Sequence, residues 1–316
     1  MSDRALVTSL ERLLALRRSE LFRDLPTRDL EVLAGLLREA VFRAGEVIQP
    51  ADQPATTLHL IVEGAIELVR DEVVRRRVEA PFALGSLAVF AGRDGGTRAT
   101  ALTEVVALRI PADVIAEVVE DHFNVLDQLL RATARQLISE VRLLTGDRVV
   151  PGPADRPPCR VFERPLDLVE RLIFLRRMPM FAPASLDSVA EISTHFRELR
   201  YPAGHELWRE GERPVDILCL VHGAVRGTTA AHPGVVLYRD YAMLGALSVL
   251  GQAPHYQRCV TDTPVVVLAV AGGQILDALE DNFEMAMVLL GGLARETFDV
   301  ERRLHEQRAL QSDAQP

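Results

Sequence analysis

The segment LERLLALRRSELF at 10–22 returns as VERLIFLRRMPMF at 169–181, and the same offset of 159 carries much of the first half of the chain onto the second. It superposes AGE (44–46) on AGH (203–205) and LHLIVEGAIEL (58–68) on ILCLVHGAVRG (217–227), so that Gly45 meets Gly204 and Gly64 meets Gly223. After one inserted position the offset becomes 160. LGSLAVFAG (84–92) then overlies LGALSVLGQ (244–252), and EDHFNVLDQLL (120–130) overlies EDNFEMAMVLL (280–290). A register kept through most of each half is duplication, and it restricts the 316 residues to two copies of one fold. Between the copies, TGDRVVPGPADRPPCR (145–160) is dense in Pro and Gly, which sustain neither helix nor ladder. The expected organisation is a first domain over 1–144, a linker over 145–166, a second domain over 167–310 and a tail over 311–316.

Each copy reads as one order of elements. Thr27 is placed to cap a helix on which Leu30, Leu33, Leu36 and Leu37 recur at helical spacing. Short strands are expected at 46–49, 57–62, 65–70, 72–79 and 98–110, rich in Val, Ile, Leu and Thr and punctuated by Gly45, Gly64, Gly85 and Gly95/Gly96. A long helical pattern follows over 111–144, with Pro111 in its first turn, and the second copy ends in a helix from about 273 to 308. The fold class is therefore mainly β with flanking helices: two tandem jelly-roll-like β-rolls, each ending in a long helix.

Composition removes several classes of function. A net charge of −9 argues against a broad nucleic-acid or anionic-membrane surface. No apolar run approaches the roughly 18 residues of a bilayer span, and the N-terminus lacks the pattern of a secretory signal. A cytoplasmic location is expected. Cys159, Cys219 and Cys259 show no metal-type spacing and an odd count, as reduced thiols do. All 36 basic residues are Arg, which excludes Schiff-base and P-loop lysine chemistry and has a high-GC bacterial genome as its ordinary explanation. The eight histidines form no helical pair beside a carboxylate triad. No nucleophile elbow or NTPase loop stands out, and GRDGGT (92–97) reads as the loop between two elements. The chain is read as having no enzymatic activity and no metal. Arg75, Arg76 and Arg77 make a basic run whose ordinary meaning is a solvated strand edge, with a partner contact as the sharper option.

Helix, short strands with glycines at the turns, a G-x-L-[AS]-V cassette and a long final helix together resemble the cyclic-nucleotide-binding domain family. That family includes the sensory domain of catabolite activator-like regulators and the paired domains of kinase regulatory subunits. The resemblance covers about 16–144 and 175–305. It rests on the paired glycines, on the cassettes Gly85-Ser86-Leu87-Ala88-Val89 and Gly245-Ala246-Leu247-Ser248-Val249, and on the strand TALTEVVALRI. It implies a site in which a cassette Glu accepts the ribose 2′-hydroxyl. About nine residues on, an Arg pairs with the cyclic phosphate, beside backbone N–H groups at the start of the cassette helix.

This chain departs from that pattern in both copies. The Glu position holds Ser86, a poor 2′-hydroxyl partner, and Ala246. Counting nine residues on from Ser86 and Ala246, or eight back from Thr103 and Thr263, places Gly95 and His255 at the Arg position. His255 would carry charge only near or below its ordinary pKa of about 6.5. Arg98 and Arg258 stand three residues further on, a displacement that turns a strand side chain to the opposite face unless a bulge restores the register. A hydrogen bond to a charged group contributes roughly 1.5–3 kcal/mol. Loss of both contacts therefore weakens binding by about two to four orders of magnitude, so a cyclic nucleotide is a disfavoured ligand and no cofactor is expected.

The final helices carry apolar stripes: Leu130, Ala134, Leu137, Val141 and Leu144, and more weakly Leu293, Thr297, Val300 and Leu304. In the family such a helix dimerises or folds back, so a homodimer through 111–144 or 273–308 stands beside an intramolecular fit. Leu6, Leu10, Leu13 and Leu14 are expected to pack on the first roll. The residues after HEQRAL (305–310) are too few for the helix-turn-helix of the transcription-factor branch, so direct DNA binding is not expected. The reading that follows is a non-enzymatic regulatory or adaptor protein acting through protein contacts. The alternative is a sensor of a cyclic nucleotide or other small molecule, using the residual cassettes and Arg98/Arg258.

Overall fold

The computed structural model describes residues 8–51, 53, 55–70, 73–91, 96–150 and 164–313. The first copy begins with α1 (Ser9–Arg18) and α2 (Thr27–Leu36), and continues through β1 (Arg38–Phe42), β2 (Val47–Gln49), β3 (Thr57–Glu63), β4 (Ala65–Arg70), β5 (Val73–Glu79) and β6 (Phe82–Leu84). The cassette helix α3 (Ser86–Ala91), β7 (Thr97–Ala101), β8 (Val105–Pro111), α4 (Ala112–Asp121) and α5 (Phe123–Val141) complete it. After β9 (Arg148–Val150) the second copy has α6 (Leu168–Arg176), a single 3₁₀ turn at Pro179–Phe181, α7 (Leu186–Ser193), β10 (Arg197–Tyr201), β11 (Glu206–Trp208), β12 (Asp216–His222), β13 (Ala224–Thr228), β14 (Val236–Arg239) and β15 (Met243–Leu244). Its cassette helix α8 (Ala246–Leu250), β16 (Arg258–Thr261), β17 (Val265–Ala271), α9 (Gly272–Asp281) and α10 (Phe283–Asp313) follow.

Each roll is two facing antiparallel sheets. The first has the orders β1-β8-β3-β6 and β2-β7-β4-β5; the second has β10-β17-β12-β15 and β11-β16-β13-β14, to which β9 adds a parallel edge strand beside β14. Apolar side chains alternate inward to fill the space between them, as with Ile61, Ile66, Ala99 and Ala101 in the first roll and Leu218, Leu220, Val225 and Cys259 in the second. The chain changes sheets at two corners that lock together. At Gly64, between β3 and β4, φ is +92°, and a Cβ would collide with the Glu104 carbonyl; at Gly223 φ is +103° and a Cβ would lie 2.5 Å from the Pro264 carbonyl. From the opposing corner, the Thr103 hydroxyl accepts a hydrogen bond from the Ala65 N–H at 3.0 Å, and that of Thr263 accepts one from the Ala224 N–H at 2.9 Å.

Several sequence expectations need correction. Residues 98–110 are two strands, broken at 102–104 by the corner that Thr103 anchors, and β1 and β6 were not foreseen. Thr27 is the first helical residue and not the cap; its hydroxyl accepts from Arg17. The long final helix of each copy is two helices, broken at His122 and Asn282. Around the first break, His122 and Asn124 both turn toward the buried carboxylate of Asp29. α10 runs on to Asp313, into the expected tail, and Arg148–Val150 of the expected linker joins the free edge of β14 because the β-branched Val149 and Val150 suit a ladder. Residues 151–163, with Cys159, lie outside the described residues, as does Leu6. Leu10 and Leu14 do not pack on the roll: they are 65% and 46% exposed, because α1 turns Ala15 and Leu16 inward. Of the stripe residues, Leu130, Ala134, Leu137 and Leu144, and Leu293, Thr297, Val300 and Leu304, are buried, and Val141 is half-buried.

The chain clusters into two compact units that do not divide at the linker. One comprises 1–133 with 290–298, and the other 134–289 with 299–316. Among the described residues, no helix is long and apolar enough to cross a membrane.

The corners give a direct test. Gly64→Ala introduces both a positive-φ strain and a backbone clash, and should cost at least about 2 kcal/mol in urea denaturation. Gly45→Ala has φ +87° but open space around its Cβ, and should cost about 1 kcal/mol. Equal losses would show that the corner is not what the glycine serves.

Candidate functional site

Each cassette opens on a left-handed glycine that starts a short helix. Gly85 has φ +87° and Gly245 φ +78°, and their carbonyls accept from the N–H groups of Val89 and Val249 at 2.9 and 3.0 Å. A Cβ at Gly85 would lie 2.9 Å from the Thr57 carbonyl, and one at Gly245 3.1 Å from that of Asp216, so both turns are pressed against the strand that precedes the sheet-switching corner. Ser86, Leu87 and Leu247 are half-buried, and Ala246 is buried. Gly95 lies outside the described residues.

In the second roll the space beside Gly245 is filled by the chain itself. Trp208 is buried, and its indole N–H donates to the Gln257 carbonyl at 3.1 Å. His255 stacks on that indole, with ring centroids 4.3 Å apart and planes 10° from parallel, and its Cε1 stands 3.4 Å from where a Cβ on Gly245 would be. Gln257 inserts over Gly227, where a Cβ would lie 2.5 Å from its Oε1, and donates to the Tyr238 hydroxyl. Burial pushes the Tyr238 phenol well above its usual range. Burial also lowers His255, against a weaker opposing pull from Glu212. A lowered imidazole is neutral at neutral pH and supplies no charge to a phosphate.

The two arginines lie on outward faces. On β16, Cys259 and Thr261 point inward, while Arg258 is exposed and donates to Glu206 at 2.6 Å. Arg209 and Arg258 together hold the Glu206 carboxyl below the usual carboxylate range. On β7, Ala99 and Ala101 are buried and Arg98 is exposed. Of the basic run, Arg76 sits over the Phe82 ring at 5.2 Å and Arg77 pairs with Glu67 at 3.3 Å; the Arg75 side chain is outside the described residues. Cys219 and Cys259 are free and buried, and burial raises both thiols to about 12, far from reactive thiolates. Among the described residues no His, Cys, Asp and Glu cluster is arranged to hold a metal.

The first roll is furnished differently at the same positions. Where the second has Trp208 and Leu218, the first has Gln49 and His59, both buried, with Gln49 Oε1 and His59 Nδ1 lacking a hydrogen-bond partner. Gln49 Oε1 stands 3.2 Å from the position of a Gly85 Cβ, so it faces the cassette turn. His59 shares the inward face of β3 with Ile61 and meets Phe42 edge-on at 6.0 Å. Its burial, with Arg109 nearby, lowers its pKa to about 4.

A matched pair of arginines was missed by sequence reasoning. In the unit that includes 290–298, Ala294 and Phe298 pack on Ala88 and Ala91, and Arg295 donates to the Ala91 carbonyl at 3.3 Å. In the other unit, Arg135 donates to the Gly251 carbonyl at 2.7 Å. Both arginines and both carbonyls are related by the offset of 160. Each cation satisfies an orphan carbonyl at the end of a cassette helix. The signal was present in RATAR against GGLAR, but nothing local names the carbonyl.

A family model described as a cyclic nucleotide-binding domain matches the sequence at 39–122 and again at 198–282, more than half of the chain. The chain therefore belongs to the cyclic nucleotide-binding domain family and carries two such domains in tandem. No curated protein matched it. Among solved structures it is similar to the regulatory subunit of a cAMP-independent protein kinase A from Trypanosoma brucei, at 16% identity and TM-score 0.36, covering 87% of this chain and 89% of that one. It is similar also to the Trypanosoma cruzi counterpart bound to guanosine, at 16% identity and TM-score 0.35, covering 96% and 92%. The N-terminal domain of a transcriptional regulator from Streptomyces coelicolor A3(2) matches at 27% identity and TM-score 0.36, covering 40% of this chain and 93% of that one.

His59 yields a pH prediction. Unfolded, it takes a proton near 6.5; folded, it stays neutral down to about 4. Stability is thus whole above about pH 6.5 and is lost as pH falls toward 4, by roughly 3 kcal/mol. His59→Leu, which installs the residue of the second roll, should remove that loss, so the variant gains on the wild type by that amount between pH 6.5 and 4. Parallel stability curves in urea titrations would show that His59 does not titrate across folding.

Proposed function

We propose that the chain is a non-enzymatic regulatory or adaptor protein, in which two degenerate cyclic-nucleotide-binding domains act through protein contacts and no longer answer to a cyclic nucleotide. The observation that carries this reading is the second cassette: its carboxylate is replaced by Ala246, Arg258 is tied outward to Glu206, and Trp208 and His255 occupy the space beside Gly245. The first cassette supports it, with Ser86 for the carboxylate and Arg98 exposed. A cyclic nucleotide entering the second roll would forgo both charged contacts and would have to displace a stacked, buried pair. Calorimetry of the full chain with cyclic AMP and cyclic GMP should show no binding tighter than about 10 μM. Tighter binding of either nucleotide removes the proposal.

A second reading is favoured by one observation in the first roll. Gln49 Oε1 is buried without a partner and faces the first cassette turn, and an unpaired buried polar atom is costly unless something satisfies it. On this reading the first roll senses a small uncharged molecule that offers an N–H or O–H to Gln49. A thermal-shift panel of nucleosides and cyclic nucleotides should then contain a compound that raises the melting temperature of the wild type and not of Gln49→Leu. A panel without such a compound leaves the first reading alone.

A further inference from the structure

The helix that opens each copy, α1 or α6, is kept nearly residue for residue, and the structure accounts for most of it. Glu11 and Glu170 close capping boxes with Thr8 and Asp167. Arg12 and Arg171 donate to the carbonyls of Leu37 and Phe196, themselves matched positions. Leu16 and Leu175 are core, and Arg17 and Arg176 donate to the carbonyls of Arg23 and Ala184.

Three matched pairs are left without such a task. Leu10 and Val169 are 65% and 63% exposed, and Leu14 and Ile173 are 46% and 51% exposed. Arg18 and Arg177 are exposed and, among the described residues, their side chains make no hydrogen bond or ion pair. The spacing i, i+4, i+8 puts each trio on one face of its helix. Single exposed apolar side chains are ordinary. Here the same apolar pair ends on the same arginine in two copies whose interiors have diverged as far as Gln49 from Trp208 and Leu68 from Gly227.

We infer that the free faces of α1 and α6 are two equivalent docking sites for an acidic amphipathic helix of a partner protein. Two apolar side chains one turn apart receive a matching pair from a second helix. The arginine at the end of the stripe calls for a carboxylate beside that pair. A second copy of this chain is a poor occupant, because the matching face offers two apolar side chains and an arginine but no carboxylate to meet that arginine. Two equal sites on one chain also suit a partner that carries the helix twice, since linked contacts gain avidity. The inference rests on the reading of the chain as a protein-contact regulator and supplies the surface for it. Nucleotide calorimetry tests that reading separately.

The test is a display library of helical peptides selected on the full chain and counter-selected on the Leu14→Asp, Ile173→Asp double variant. Circular dichroism and the melting temperature serve as controls that the variant keeps its fold. The enriched peptides should carry apolar residues at i, i+3 or i+4 next to Asp or Glu. The best of them, followed by fluorescence anisotropy, should lose at least about tenfold in affinity for the double variant. It should also weaken with Arg18→Glu, Arg177→Glu, and exchange of its own acidic residues for Lys should restore binding to that variant. The inference is overturned if no peptide is enriched, if the binders are basic, or if they bind the double variant equally well. It is also overturned if sedimentation shows a dimer of the chain that Leu14→Asp, Ile173→Asp dissolves, for then the occupant is a second copy.

Discussion

The rolls depend on a corner at which two sheet-switching turns lock back to back. β3 leaves one sheet and becomes β4 of the other at Gly64, while β7 makes the reverse passage into β8 at Thr103, whose hydroxyl takes the Ala65 N–H. Only a residue without Cβ fits between the two turns, and the second copy repeats the arrangement with Gly223 and Thr263. The corner fixes which strands face each other across the core. It therefore also fixes the inward and outward parity of the strands around the cassettes.

On that common frame the two copies have filled their interiors with different side chains. The second closes its site with its own aromatic and amide groups, Trp208, His255, Gln257 and Tyr238, each with a hydrogen bond or a stacked partner. The first has Gln49 and His59 where the second has Trp208 and Leu218, and each roll keeps a buried amide oxygen without a partner, Gln49 Oε1 and Gln257 Oε1. Outside the interiors the copies stay alike: cassette helices that end on an arginine-capped carbonyl, and opening helices that show water the same face. The features shared are those that hold elements together or face outward. Those that differ line the interior beside the cassettes.

Much of the fold was legible because its determinants are local. The offset, the turn glycines and the cassette pattern placed the duplicated roll, and locating Ser86 and Ala246 in the cassettes needed only counting. The strand over 98–110 was misread because its alternation continues across the corner, and nothing in the three residues 102–104 announces that the chain changes sheets there. The helix breaks at His122 and Asn282 were missed for the same reason: the apolar period runs on through them.

Sequence alone determined that the chain is two copies of one β-roll with Ser86 and Ala246 after the cassette glycines, since repetition, turn chemistry and residue identity are all written along the chain. Tertiary structure decided what occupies the second site, because Trp208 and Gln257 meet across 49 residues. It decided also that Arg258 turns outward to a carboxylate 52 residues away. The coverage of the long helical stripes and the exposure of Leu10 and Leu14 were settled at the same level. Helical period marks a residue as apolar-faced; only the packed chain determines which of those faces it has enough surface to cover.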